Sequence, residues 1–373
     1  MPLVPRRRAL GIGLGSVLGA TLLSASGRPA PARAAGRANP DAVASARLAA
    51  DYWQAQPQPY ANNADWVNAT FHSGEMALYR LTGDPRYREF TLGWAEQNGF
   101  ALIPSSSAPF HADHETAGQA YLDLYQTSPD GPHPAYLAAV RQRLDAQLSS
   151  GSADYWTWVD ALHMAMPVFV RMAAQDSRPD YLDYAHSSYL YTRDQCGGPG
   201  LWDPARSLWW RDAGFLHTDT YWSRGNGWAL ADLAKVLGAL PPGDPNRAGY
   251  AADMRAMAAA LKPLQSEDGY WPADLIRPDR YPGPETSGTA FFTYGLAWGV
   301  NHGVLPAAVY RPVVERAWQW VAHTALQPSG LLGWVQGTGA KPADNYPWTA
   351  SSTAAFGVGA FLLAATEVAV LDS

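Results

Sequence analysis

One cysteine in 373 residues, Cys196, leaves no partner for an intrachain disulfide and no basis for a cysteine-ligated zinc. Packing is the role left to it. Charge is also scarce, at 16% of residues against 47% hydrophobic, which is enough apolar material for a large core. Strand-like alternation is missing, whereas apolar runs of helical period recur from Asp41 to the end. Several catalytic signatures are missing too. There is no nucleophile elbow and no Ser-His-Asp arrangement. Gly225-Asn226-Gly227 follows no strand and lacks the third glycine of a dinucleotide-binding turn. In His111-Ala112-Asp113-His114-Glu115 the histidines stand at i, i+3, with no His-Glu-x-x-His and no clear third ligand. No metal site and no cofactor are therefore expected.

The N-terminus reads as an export signal. Arg6-Arg7-Arg8 precedes an uncharged run over residues 9–27, and Ala32-Arg33-Ala34 is a small-x-small cleavage site. The arginines followed by Ala9-Leu10 suggest the twin-arginine route, with an ordinary secretory signal or an uncleaved anchor as the alternatives. The run is too short and too rich in Gly and Ser for a stable membrane span. The expectation is an export signal over residues 1–35, one catalytic domain over 36–373, and a periplasmic or extracellular monomer. Removing residues 1–35 takes away five arginines and no acids, so the formal charge falls from −6 to −11. So acidic a body argues against nucleic acid as a partner. It does not exclude an anionic sugar, because one arginine in a cleft outweighs a distant field.

What the chain has in abundance is aromatic: 16 Trp and 19 Tyr. Trp is bulky and rarely fully buried, so many should line a cleft, where the apolar faces of sugar rings are common partners. Five times an apolar run ends in a turn rich in Gly, Pro or Asp and a new run starts around a tyrosine: Tyr87, Tyr136, Tyr181, Tyr250 and Tyr310. Spacings of 45–69 residues, each holding two helices, imply a repeated helical hairpin. Helices are expected at about 41–56, 66–82, 85–98, 114–127, 134–148, 158–174, 179–193, 226–239, 247–265, 286–299, 306–325 and 350–367. Six hairpins close into an all-α (α/α)6 toroid of about twelve helices. An open solenoid is the alternative, but no polar capping repeat is visible.

In such a ring the even-numbered helices share a direction, so their starts meet on one face. Those starts carry polar groups with aromatics close by: Asp65-Trp66, Asp113-His114, Trp158-Val159-Asp160, Arg224 to Trp228, Glu285 and Asn345 to Trp348. The odd helices begin blandly with Pro and Tyr. Asp160 has two readings. It is a helix cap, or it is an acid that holds its proton because indole rings solvate a carboxylate poorly. Asp113 makes the second carboxylate of a pair suited to glycoside chemistry, or caps the helix after it. Asp65 and Glu285 read as caps. Arg224 could hold a carboxylate through two parallel hydrogen bonds, the nearby glycines leaving Arg224 and Trp228 exposed in the cleft. Arg211 is a second such candidate, with Asp212 beside it as a neutralising partner. Trp158, Trp222, Trp228 and His114 complete the candidate contacts.

Trp222-Ser223-Arg224-Gly225-Asn226-Gly227-Trp228 resembles the unsaturated rhamnogalacturonyl hydrolases of glycoside hydrolase family 105, as do residues 158–165 and Glu285-Thr286-Ser287-Gly288-Thr289-Ala290. The unsaturated glucuronyl hydrolases of family 88 are the next nearest. The resemblance spans about residues 45–367. It implies the (α/α)6 barrel, no metal, and removal of a 4,5-unsaturated uronic acid from the non-reducing end of lyase-made oligosaccharides, as in pectin degradation. By resemblance Asp160 is the proton donor and water activator, Asp113 the partner acid, and Arg224 and Trp228 substrate contacts. Many relatives carry a His after an aromatic pair where this chain has Trp209-Trp210-Arg211. A polysaccharide lyase on the same toroid and a non-catalytic sugar-binding protein are the rival readings.

Overall fold

The protein is described by a computed structural model over residues 39–57, 63–103 and 110–371. The expected export signal lies outside these residues. Within them are twelve α-helices: α1 (Pro40–Gln54), α2 (Trp66–Thr82), α3 (Pro85–Gln97), α4 (Ala117–Gln126), α5 (Ala138–Ser149), α6 (Asp160–Asp176), α7 (Pro179–Asp194), α8 (Ser223–Ala239), α9 (Arg247–Leu261), α10 (Thr286–Asn301), α11 (Ala307–Trp320) and α12 (Ala355–Val368). The joins follow the expected local chemistry. Asp84 accepts from Arg86 N with Pro85 at the first helical position of α3, and Gly83 ends α2 at φ 69°.

The even helices form a closed inner ring: α2, α4, α6, α8, α10 and α12 pack each on the next, and α12 packs on α2. Outside them α3 lies on α2, α7 on α6, α9 on α8, α11 on α10 and α1 on α12. The (α/α)6 toroid is therefore the fold, closed as the lack of capping repeats implied.

Closure depends on small residues at the seams. A Cβ on Gly359 of α12 would sit 2.3 Å from the Thr70 carbonyl of α2, and one on Gly74 would sit 2.7 Å from the Gly359 carbonyl. Across the α8–α10 seam a Cβ on Gly288 would meet Ser223 Oγ at 2.1 Å. Backbones this close bury both helices almost completely; Phe361, Leu362, Phe291 and Phe292 have no more than 1% exposure. Each such side chain contributes about 1.5–3 kcal/mol by leaving water.

Two short strands, β1 (Trp202–Asp203) and β2 (Leu208–Trp209), pair antiparallel with Trp202 opposite Trp209. This hairpin lies between α7 and α8 and delivers the segment that follows it, residues 210–212, to the mouth of the ring.

Candidate active site

A pocket of about 160 Å³ opens where the inner helices begin. Trp66 comes from α2, Asp113 from the 3-10 turn before α4, and Trp158, Asp160 and Met164 from the start of α6. Arg211 follows β2, Trp222, Arg224 and Trp228 come from the start of α8, and Thr338 and Gly339 from the loop before α12. Of the catalytic and contact candidates named from the sequence, all but His114 line it. The outlying acids are caps: Asp65 accepts from Val67 N, and Glu285 accepts from Ser287 N and Gly288 N.

Asp160 is the first residue of α6 and is 6% exposed. No side chain caps this helix. Its Oδ2 accepts from Arg211 Nε at 3.2 Å, while Oδ1 is buried without a partner. Burial pushes its pKa up, and the charges of Arg211 and Arg224 oppose that without cancelling it. Arg211 is held by the main chain: Val159 N donates to its carbonyl at 2.8 Å, and Trp158 pairs with Asp212 across an isolated bridge. Asn226 of α8 fixes the strand just before it, accepting from Trp209 N at 2.8 Å and donating to Trp209 O at 3.0 Å.

The helix expected from residue 114 starts at Ala117, so Asp113 lies in a 3-10 turn (Ala112–His114) and caps nothing. Its carboxyl is raised to about 7, first by burial and then by the charge of Asp160. His111 sits over the Trp158 ring at 4.5 Å and against His114 at 5.1 Å. His114 thus stands behind the pocket wall rather than in it, with Nδ1 buried and unpartnered. No third metal ligand joins the two histidines among the described residues.

Arg224 and Trp228 depart from expectation. The glycines do not open the chain to a ligand; α8 begins one turn earlier, at Ser223, and encloses them. Gly227 lies under the Phe291 side chain of α10 and Gly225 between Trp222 and Val159. Arg224 is consequently 0% exposed and Trp228 1%. Arg224 Nη1 donates to Gln336 O at 2.8 Å and Nη2 to Gly337 O at 2.9 Å, with the Trp222 ring 4.4 Å and the Phe356 ring 4.8 Å away. Burial lowers its pKa to about 10, so it stays charged at neutral pH. Its first duty is to anchor the loop that carries Thr338 and Gly339. Trp228 packs on Phe291 at 4.1 Å and edge-on to Trp66 at 6.0 Å, making the pocket floor.

That loop was not foreseen. Gln336, 0% exposed, organises it. Its amide donates to the carbonyls of Lys341 and Asp344 at 2.9 and 2.8 Å, its Oε1 accepts from Trp222 Nε1 at 2.8 Å, and its N–H reaches Glu285 Oε1 at 3.1 Å. A small-residue run, Gly337-Thr338-Gly339, was the one signal available. The arrangement can bind a ring against indoles, bring protonatable carboxyls to it and face its charge with Arg211.

The Glycosyl Hydrolase Family 88 model matches residues 43–371. An unsaturated 3S-rhamnoglycuronyl hydrolase of Alteromonas sp. (strain LOR) is 32% identical over 349 residues, covering 86% of this chain and 81% of that protein. A family 88 glycosyl hydrolase from Bacteroides vulgatus superposes with TM-score 0.83 at 35% identity, covering 89% of this chain and 99% of that one. A solved structure described as a polysaccharide lyase also has TM-score 0.83, at 37% identity, covering 90% and 98%.

Proposed function

The chain belongs to glycosyl hydrolase family 88 and is an unsaturated uronyl hydrolase; from that premise we propose how its cleft carries the reaction. The substrate is an oligosaccharide whose non-reducing end is a 4,5-unsaturated uronic acid, of the rhamnoglycuronyl kind named for its relatives. The pocket is smaller than the roughly 300–1,000 Å³ of sites that enclose drug-sized ligands. One terminal ring fits, with the remaining sugars outside.

The observation that carries the reading is a pair of carboxyls, Asp160 buried and Asp113 half-buried, opening on one tryptophan-lined pocket with both pKa values raised. Like charges so placed favour one proton shared over two acids near neutral pH, titrating as a pair. Asp160 gives its proton to C4 of the C4=C5 bond, and positive charge develops at C5 beside the ring oxygen. Water adds at C5 and returns a proton to the carboxylate. The resulting hemiketal opens and the linked sugar leaves. Asp113 disfavours the charged form of Asp160 and so helps it keep its proton, Trp158 and Trp228 bound the ring, and Arg211 faces its carboxylate.

We also propose that the chain is exported and monomeric. Arg6-Arg7-Arg8 and the uncharged run behind it support export. Among the described residues the exposed large apolar side chains, Leu48, Val309 and Tyr346, sit on separate elements, which offers no contiguous patch for self-association.

Incubation with lyase-generated oligosaccharides tests the reaction. Hydrolysis removes the absorbance of the conjugated double bond. A gain of that absorbance from intact polysaccharide would instead mean elimination, the second reading, to which the lyase-described neighbour points. Elimination needs a base facing C5. Among the described residues lining the pocket there is no Tyr or His for it, which favours hydrolysis. Binding without any change in absorbance would leave only a sugar-binding role.

A further inference from the structure

Two arginines stand in the pocket wall, and they differ in what an incoming anion can reach. Arg224 is fully buried, with its guanidinium committed to main-chain carbonyls. The Arg211 side chain is 25% exposed and is shared between two acids: Nε donates to Asp160 Oδ2 at 3.2 Å and Nη1 to Asp212 Oδ2 at 2.7 Å. Among the described residues its Nη2 donates to nothing, so one edge of the fork is free for a ligand. The root of the side chain is held, because Val159 N donates to the Arg211 carbonyl, Asp212 bridges Trp158, and Trp210 N donates to Leu201 O. The guanidinium can therefore change partners without leaving the first turn of α6.

The partner it would give up is the acid the reaction needs. While Arg211 is paired with Asp160, it favours the carboxylate, which is the wrong form for a proton donor. A uronic acid brings its own carboxylate. A planar carboxylate is the natural complement of the guanidinium fork. We infer that Arg211 is a positioning residue that couples arrival of the substrate's carboxylate to the protonation of Asp160: it pairs with Asp160 in the free enzyme and passes to the sugar on binding. The proton is the one shared with Asp113; where the free enzyme has already released it, it is taken up from solvent on binding. Asp160 then has Oδ1 and Oδ2 both without a cation against them, in a site from which the sugar has expelled water. Arg224 alone remains as a favourable charge, and Asp113 opposes ionisation. Asp212 keeps Arg211 charged and near throughout. His163, one turn along α6, and His111 and His114, beyond Trp158, are each held toward the neutral form by burial, so they supply no competing cation at neutral pH.

This rests on the hydrolase reading above, and the test separates the two. The pH dependence of kcat/KM reports the free enzyme and that of kcat the complex. With an unsaturated uronyl oligosaccharide, the wild-type high-pH limb is expected at least about one pH unit higher in kcat than in kcat/KM, because the acid holds its proton more tightly once Arg211 has left it. In Arg211→Gln the limb of kcat/KM moves up to meet that of kcat, and KM rises about tenfold or more for loss of a charge-assisted hydrogen bond. Arg211→Lys keeps a separation between the limbs. A merely structural role for Arg211 would lower activity at every pH and leave the limbs where they were. Coincident limbs in the wild type, or an unchanged separation in Arg211→Gln, overturn the inference. The wild-type limbs decide it even should Arg211→Gln fail to fold. A wild type that leaves the double bond intact at all pH values ends the hydrolase reading and this inference with it.

Discussion

The two ends of the inner ring both bury charge, and they treat it in opposite ways. At the far end, Asp123 near the close of α4 is gripped by Arg80 of α2 and Arg171 of α6. Burial would raise its pKa, but the two arginines outweigh it and the net shift is downward. At the cleft end, Asp113 has no close cation and Asp160 has half of one, and both are shifted upward. Burial alone does not make the difference. Asp232 of α8 is fully buried with neither oxygen partnered, and its pKa is raised too, yet it lines no pocket among those described. A working acid in this fold needs both conditions: too few cations to ionise it, and an opening through which a substrate arrives.

Substitutions at the two ends sharpen that contrast. The largest effect is expected at the cleft. Asp160→Asn lowers turnover by about 10²–10⁴-fold, as for loss of a general acid, with little change in stability. Near wild-type turnover in steady-state assays would remove Asp160 from its role. At the far end, Asp123→Asn leaves two arginines facing no charge and costs on the order of 3 kcal/mol in denaturant unfolding. The folded fraction should keep its turnover, and a variant as stable as wild type would show the pairing to be incidental. Arg224→Ala is next. It strands the carbonyls of Gln336 and Gly337 and should cost roughly 2 kcal/mol, with KM raised through a loosened Thr338-Gly339 wall. An effect on KM without loss of stability would return Arg224 to a direct substrate contact.

The last effect is one of pH. Between the ordinary carboxyl pKa of 3.8 and about 7, folded Asp113 holds a proton that the unfolded chain has released. Its contribution therefore makes the protein less stable as pH rises through that window, and level above it. Asp113→Asn lacks this decline. Relative to wild type it should gain about 1–3 kcal/mol between pH 4 and pH 8 in urea unfolding. A parallel pair of stability curves would show Asp113 to be ionised throughout. For Asp123 the sign is reversed: its stabilisation is complete above the ordinary carboxyl range and is lost only in acid.

Much of this was legible in the sequence because the joins carry their own chemistry. Asp84-Pro85 and Arg178-Pro179 start helices for local reasons, and α3 and α7 begin there. Asp160 and Asp113 were found from their aromatic and polar neighbours. The matching family model is that of family 88, the second of the two families the motifs resemble. What was misread turned on tertiary packing. Glycine in a helix interior costs about 1 kcal/mol against Ala, so Gly225 and Gly227 read as an open helix start at residue 226. Close approach of α8 to α10 offsets that cost, and the helix runs through both, burying Arg224. Asn226 gave no sign of holding β2, and Gln336 none of organising a loop. A single amide bonding distant main chain leaves no periodic trace.

The most direct test is a titration of the side-chain carboxyls of Asp113 and Asp123 in the folded enzyme, followed by carbon NMR with Asp113→Asn and Asp123→Asn for assignment. Asp113 is expected to ionise near pH 7 and Asp123 below the usual carboxylate range. Two carboxyls titrating together near pH 4 would mean that pairing does not divide the working end of the ring from the structural one, and the account of the cleft would fall.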